Sequence, residues 1–221
     1  MHRDLIRACT KGDVARVQEL WGKVSGVEDN LNVIYSAAAV SGSRDMVKFM
    51  WKKGIPVDYY DGEALIYLCD NITQKLGEKR SKQLDMVRFL IAEGIPATIR
   101  GSEACICAAR NGDLELLDIL VSRGANPLVQ EDHALTLAAS NGHPDVVEYL
   151  ISKGANPNTE NGEPLYFAVT NGCHDCVQVL FEHGAGIIDN DEVLLDVAEQ
   201  NEDMRMIKLL VERGCCAHLM Q

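Results

Sequence analysis

Apolar residues along this chain keep the spacing of one helical face, and that face recurs every thirty residues. The blocks are Val17/Leu20/Trp21, Met46/Val47/Met50/Trp51, Met86/Val87/Leu90/Ile91, Leu116/Leu117/Leu120/Val121, Val146/Val147/Leu150/Ile151, Cys176/Val177/Leu180/Phe181 and Met206/Ile207/Leu210/Val211. Each block predicts an amphipathic helix, and Arg16 is the one polar residue in the series. Upstream of each lies a shorter apolar segment centred on Ala8, Ala38, Ala108, Ala138, Ala168 or Ala198, with Leu68 in the remaining copy. Small side chains at that place let two helices approach closely. Gly54, Gly94, Gly124, Gly154, Gly184 and Gly214 close the longer helices, and Gly12, Gly42, Gly112, Gly142 and Gly172 mark the turn inside each copy. One step breaks the period: Gly54 and Gly94 are forty apart, which places a ten-residue insertion at 72–81 and Lys82 where the glycine belongs.

Each copy therefore reads as a helix, a turn of two to four residues, a second helix and a polar connector. The expected repeats are 2–24, 32–54, 62–94, 102–124, 132–154, 162–184 and 192–214, within a single domain 1–221. One such helix pair has an apolar face on each side and cannot cover either alone, so the copies must stack into an all-α solenoid. Polar residues belong on its ends, and Arg16 in the first copy and Glu199, Glu202, Asp203 and Arg205 in the last fit that requirement. The four methionines Met46, Met50, Met86 and Met206, and also Trp21 and Trp51, sit in the apolar register and read as core.

The segments LAASNGHPDVVEYLISKGANPN (Leu137–Asn158) and CAARNGDLELLDILVSRGANP (Cys107–Pro127) resemble ankyrin repeats, and the resemblance runs from about His2 to about Ala217. The thirty-residue period falls short of the ~33 usual in that family. The missing residues lie between the Gly-Ala turn and the next helix, so the projecting hairpin is expected to be shorter. The usual Thr-Pro-Leu-His opening is replaced by EALI, EACI, HALT and EPLY, beginning at Glu63, Glu103, His133 and Glu163. This shortened form resembles the ankyrin proteins of giant viruses of amoebae. The resemblance implies a non-enzymatic module whose connectors and first helices form a concave side that binds another protein.

Composition narrows the setting. With 47% apolar and 24% charged residues the chain is not disordered, and no apolar run approaches the ~18 residues of a membrane helix. The opening MHRDLIRACTKGD carries charges where a secretory signal is apolar, so the expected compartment is the cytoplasm or nucleus, with the eight cysteines as thiols. A net charge of −12 disfavours nucleic acid and anionic lipid as ligands. That charge is concentrated in the connectors, where Glu28, Asp29, Asp58, Asp61, Glu63, Glu103, Glu131, Asp132, Glu160, Glu163, Asp189, Asp191 and Glu192 face only Arg100. Glu63, Glu103 and Glu163 precede helices and read as caps. The surplus points to a Lys/Arg-rich partner protein bound by a monomer. Tyr59 and Tyr60 supply apolar anchors, and Asp61, Arg100, Glu131, Asp132, Glu160 and Asp191 the polar complement.

No catalytic motif stands out, and no cofactor is implied. The one metal-like spacing is Cys173-His-Asp-Cys176, but Cys176 takes the core position that Val146 holds one repeat earlier. The alternative function is a metal-binding or redox protein using Cys173, Cys176 and the C-terminal Cys215, Cys216 and His218. Otherwise Cys9, Cys69 and Cys105 read as small buried hydrophobes, with Cys173, Cys215 and Cys216 accessible to reagents. The insertion, with Lys75, Lys79 and Arg80 against Glu78, reads as a solvated loop whose removal leaves stability nearly unchanged.

Overall fold

A computed structural model describes residues 2–186 and 191–215, apart from the side chains of 191 and 192. Among the described residues there are fourteen α-helices and no strand. They are α1 (His2–Thr10), α2 (Val14–Trp21), α3 (Leu31–Val40), α4 (Arg44–Lys52), α5 (Tyr59–Asp70), α6 (Glu78–Ala92), α7 (Ile99–Arg110), α8 (Leu114–Ser122), α9 (Val129–Ser140), α10 (Pro144–Ser152), α11 (Thr159–Thr170), α12 (His174–Glu182), α13 (Asp191–Gln200) and α14 (Met204–Glu212). A short 3-10 turn, Glu28–Asn30, precedes α3. The chain folds as two compact units, 1–104 with 118–125, and 105–117 with 126–221.

Local chemistry sets the helix ends. The side chains of Asp13, Ser43, Asp113 and Asp203 accept hydrogen bonds from the N–H groups of Arg16, Met46, Leu116 and Met206 at 3.0, 3.3, 3.0 and 3.0 Å, which caps the second helix of four repeats. α10 has no such capping side chain at His143 and begins instead with Pro144, whose missing N–H costs nothing in the first turn. At its other end Gly154 turns left-handed (φ +106°), and Ala155 N–H reaches back to Leu150 O at 3.1 Å.

In the first unit α1 packs on α3, α3 on α5, and α2 on α4; in the second α9 packs on α11, α11 on α13, and α10 on α12. The apolar register behaves as its spacing implies: Met46, Val47 and Met50, or Val146, Val147 and Leu150, are fully buried. The last residue of each block is only half-buried, which corrects the reading of the tryptophans as core. Trp21 meets the Phe49 ring edge-on at 5.5 Å, and Trp51 stacks on Phe89 at 5.5 Å, so both lie along the flank of the second helices. Trp51 also donates from Nε1 to the Tyr35 hydroxyl at 2.9 Å, and that hydroxyl donates to Val57 O at 3.0 Å. Burial pushes the Tyr35 pKa up to about 12, so the bridge from α3 to the following connector stays neutral.

The insertion departs from expectation. Only residues 71–77 are loop; Glu78 to Ser81 extend the N-terminus of α6. Ile72 and Arg80 are buried, and Gln83 is completely buried. Gln83 Nε2 donates to Val40 O at 3.0 Å, its Oε1 accepts from Thr73 N–H at 3.0 Å, and Arg80 Nη1 donates to Thr73 O at 3.3 Å. The insertion is thus anchored at its two ends, through Ile72, Thr73 and Arg80, while Gln74 to Lys79 are exposed; the N–H and C=O of Thr73 are satisfied by the buried side chains of Gln83 and Arg80.

Candidate binding surface

The connectors do more than join helices. In α5, α7, α9 and α11 the first turn runs left-handed over three successive residues: Tyr60–Gly62, Arg100–Ser102, Gln130–Asp132 and Glu160–Gly162. Each L-residue held there costs roughly 1–2 kcal/mol, which neighbouring contacts must offset. Glycine, asparagine and aspartate tolerate this region best, and Gly62, Gly101, Asp132, Asn161 and Gly162 supply them. In the second unit the turns are tied together through side chains. Thr159 Oγ1 donates to Glu131 O at 2.7 Å, Asp132 Oδ2 accepts from Asn156 N–H at 2.9 Å, and Asn158 bonds Gly184 O and Gly186 N–H at 3.0 and 2.7 Å.

This geometry corrects the capping assignment. No side chain caps α5, α9 or α11, and one buried oxygen of Glu63 has no hydrogen-bond partner. The connector acids instead divide by partner. In the first unit Arg100 Nε lies 3.4 Å from Asp61 and its Nη1 3.8 Å from Glu103, so the ridge's one cation is spent on its own neighbours. It also donates to Tyr60 O at 3.4 Å. Tyr59 is half-buried and Tyr60 is 61% exposed, with ring centroids 6.4 Å apart. In the second unit Glu131 and Glu160 are exposed and their carboxylates have no ion pair or hydrogen bond among the described residues. Asp132 is half-buried and partly engaged in holding the next connector. The side chain of Asp191 lies outside the described residues, as do Asp189, Glu192, Cys216 and His218.

Sequence reasoning missed the aromatic pair Tyr166 and Phe167 on α11, which are 39% and 36% exposed and meet edge-to-face at 5.4 Å. Tyr67 of α5 is similarly exposed. Tyr67 and Phe167 occupy the position held by Cys107 in α7, which is buried, so register alone carried no signal of their exposure.

The cysteines fall mostly in the core. Burial pushes Cys9, Cys105 and Cys176 up to about 12; for Cys176 the nearby Cys173 and acidic groups add to the effect. Cys173 sits at the start of α12, where a thiolate would be favoured, yet partial burial raises its pKa also. Cys215 is buried, which corrects its assignment as accessible: its N–H follows Gly214 back to Leu210 O at 3.0 Å and turns the residue inward. No three His, Cys, Asp or Glu side chains are grouped to hold a metal among the described residues. Native-state labelling should therefore modify Cys173 well before Cys9, Cys69, Cys105, Cys107, Cys176 or Cys215, as read by mass spectrometry of the quenched protein.

The last two repeats are clasped by His174 Nε2, 2.9 Å from the Asp203 carboxylate. Burial pulls the Asp203 pKa up, but the hydrogen bonds from His174 and the Met206 N–H outweigh it and hold the group below its ordinary 3.8. A depressed carboxylate stabilises the fold above its unfolded-state pKa and loses that contribution as pH falls through the folded-state value. Denaturant midpoints measured from about pH 6 down to about pH 3 should accordingly fall more steeply below 3.8 for the native protein than for Asp203→Asn, which retains a capping oxygen.

Residues 105–191 and 135–220 match the family described as ankyrin repeats (3 copies), together just over half of the chain. Palmitoyltransferase Hip14 of Drosophila melanogaster is 31% identical over 108 residues, which is 47% of this chain and 16% of that protein. The chain thus spans only a small part of that relative, whose transferase activity is not carried over by the match. No helix among the described residues is long and apolar enough to cross a membrane. The helix pairs, their thirty-residue period and the family match agree: this chain belongs to the ankyrin-repeat family, whose repeats are protein-binding modules.

Proposed function

We propose that the chain is a non-catalytic binding module that takes a Lys/Arg-rich segment of another protein on its connectors and first helices. The observation that carries this reading is the pairing of unneutralised connector acids with exposed aromatics in the second unit, where Glu160 and Glu163 line one cleft with Tyr166, next to Phe167; in the first unit Tyr60 is exposed beside Asp61, which Arg100 already pairs. Carboxylates without internal cations raise the rate of encounter with a basic ligand, and aromatic rings provide the buried anchors that dominate affinity. The seven repeats act as one monomeric domain spanning 1–221, because the period continues through both compact units. Cytoplasm or nucleus is the setting, as the thiols and the repeat composition favour. The short period supports kinship with the repeats of giant viruses of amoebae.

Selection of random displayed peptides on the native protein tests the reading. The retained peptides should be enriched in Lys and Arg and should bind more slowly as salt rises. A variant with Asp61, Glu131, Asp132, Glu160 and Asp191 changed to Asn or Gln, and with an unchanged melting curve, should lose them. Peptides without basic bias, or equal binding by the variant, would refute the proposal.

A further inference from the structure

Resting on that reading, we propose that the cleft between α11 and α13 is an arginine-accepting pocket, which seats one guanidinium of the partner protein. The cleft encloses about 200 Å³ and is lined by Glu160, Glu163, Leu165, Tyr166 and Leu194, with Gly162 and Gly186 at its edge. Leu165 and Leu194 are buried and form an apolar floor, which suits the methylene stem of a long side chain. Tyr166 forms a wall and is steadied by Phe167 edge-on at 5.4 Å, so its face is presented rather than free to collapse onto the helix. Two carboxylates line the cleft, Glu160 exposed and Glu163 half-buried. Glu160 is carried there by the left-handed turn, at φ +45°, and neither Glu160 nor Glu163 has an ion pair or hydrogen bond among the described residues.

Two unneutralised carboxylates beside an aromatic wall and above an apolar floor complement a cation that is planar, forked and attached to a hydrocarbon chain. A guanidinium meets all four requirements, because it donates to two acceptors at once and stacks on a ring, whereas an ammonium offers only a hydrated point charge. No other described connector combines these features. At the turn of α7, Arg100 already occupies the corresponding ground, with Asp61 and Glu103 as its acceptors, and shows within the chain how a guanidinium is held there. At the turn of α9 the position of Tyr166 is Thr136, which is buried and provides no ring.

The test is a nuclear magnetic resonance titration of the whole isotope-labelled chain with Nα-acetyl-arginine amide, with the lysine and norleucine amides as controls. Saturable shifts of the Tyr166 ring and Leu194 methyl signals are expected with arginine, weaker ones with lysine and none with norleucine. Glu160→Gln/Glu163→Gln should weaken arginine binding at least about tenfold, since it removes both charge-assisted acceptors. Tyr166→Leu, which keeps an apolar side chain and removes the ring, should weaken it severalfold. No saturable shift at the cleft, equal or tighter binding of lysine, a response to norleucine, or undiminished binding by the double variant would overturn the pocket. Basic peptides that bind while the arginine amide leaves the cleft silent would refute the pocket and leave the broader reading standing. Non-basic selected peptides together with a saturable arginine response would do the reverse.

Discussion

Replacing Gln83 by Ala will destabilise the protein by about 2 to 5 kcal/mol, the sum of two orphaned main-chain groups and a cavity. The Gln83 amide is wholly buried and spans two segments: it donates to Val40 O at the end of α3 and accepts from Thr73 N–H in the insertion, each at 3.0 Å. Alanine reaches neither, and no other side chain is placed to replace it. Each buried group left without a partner costs roughly 1–3 kcal/mol. The matching control is Leu76→Ser at the tip of the same insertion. Leu76 is 90% exposed, so its replacement should fall within about 0.5 kcal/mol of the native protein. Urea denaturation of both variants decides the point. A Gln83→Ala cost below about 1 kcal/mol would return the insertion to the status of a surface loop.

The helices and their buried faces were legible because they depend on periodicity, which the chain repeats seven times in one frame. Val146, Val147 and Leu150 are buried for the same reason as Met46, Val47 and Met50, and the reading needed no knowledge of contacts. Even Glu202 obeyed the frame: it adopts φ +55° at the place a glycine holds elsewhere. What was not legible depends on partners distant in sequence. Gln83 looks like an ordinary polar residue on a helix, and only the position of Val40, forty-three residues away, makes it a structural bond. The acids before each first helix looked like caps because caps are local, but three residues there turn left-handed, and the residues at the helix starts, Leu128 and Asn158, make no side-chain capping bond. The candidate surface was half legible. Tyr59, Tyr60, Glu131 and Glu160 stood out by charge and position, whereas Tyr166 and Phe167 were hidden in an apolar stretch and emerged only once burial separated exposed rings from core.

Gly42→Ala should cost about 2 to 4 kcal/mol, well beyond the strain that alanine suffers in a left-handed turn. Gly42 has φ +71°, and a Cβ built on it would lie 2.8 Å from the Lys82 Cβ and 3.1 and 3.2 Å from the Lys82 carbonyl carbon and oxygen. Those last two atoms are main chain within α6. They cannot withdraw alone, because the next residue, Gln83, fixes that turn of the helix to Val40. Gly54→Ala separates the two contributions. Gly54 is also left-handed, at φ +88°, but nothing lies within 4 Å of its hypothetical Cβ. Its substitution should therefore cost only the conformational strain of about 1 kcal/mol. The excess for Gly42 measures how tightly α6, lengthened by the insertion, presses on the preceding turn. In the regular repeats a left-handed turn stands where Lys82 stands here; the extra residues carry α6 four residues back beyond that point, so helix backbone takes the place of a turn. Equal costs for the two alanines would mean that α6 yields, and that the insertion is held less firmly than its buried hydrogen bonds require.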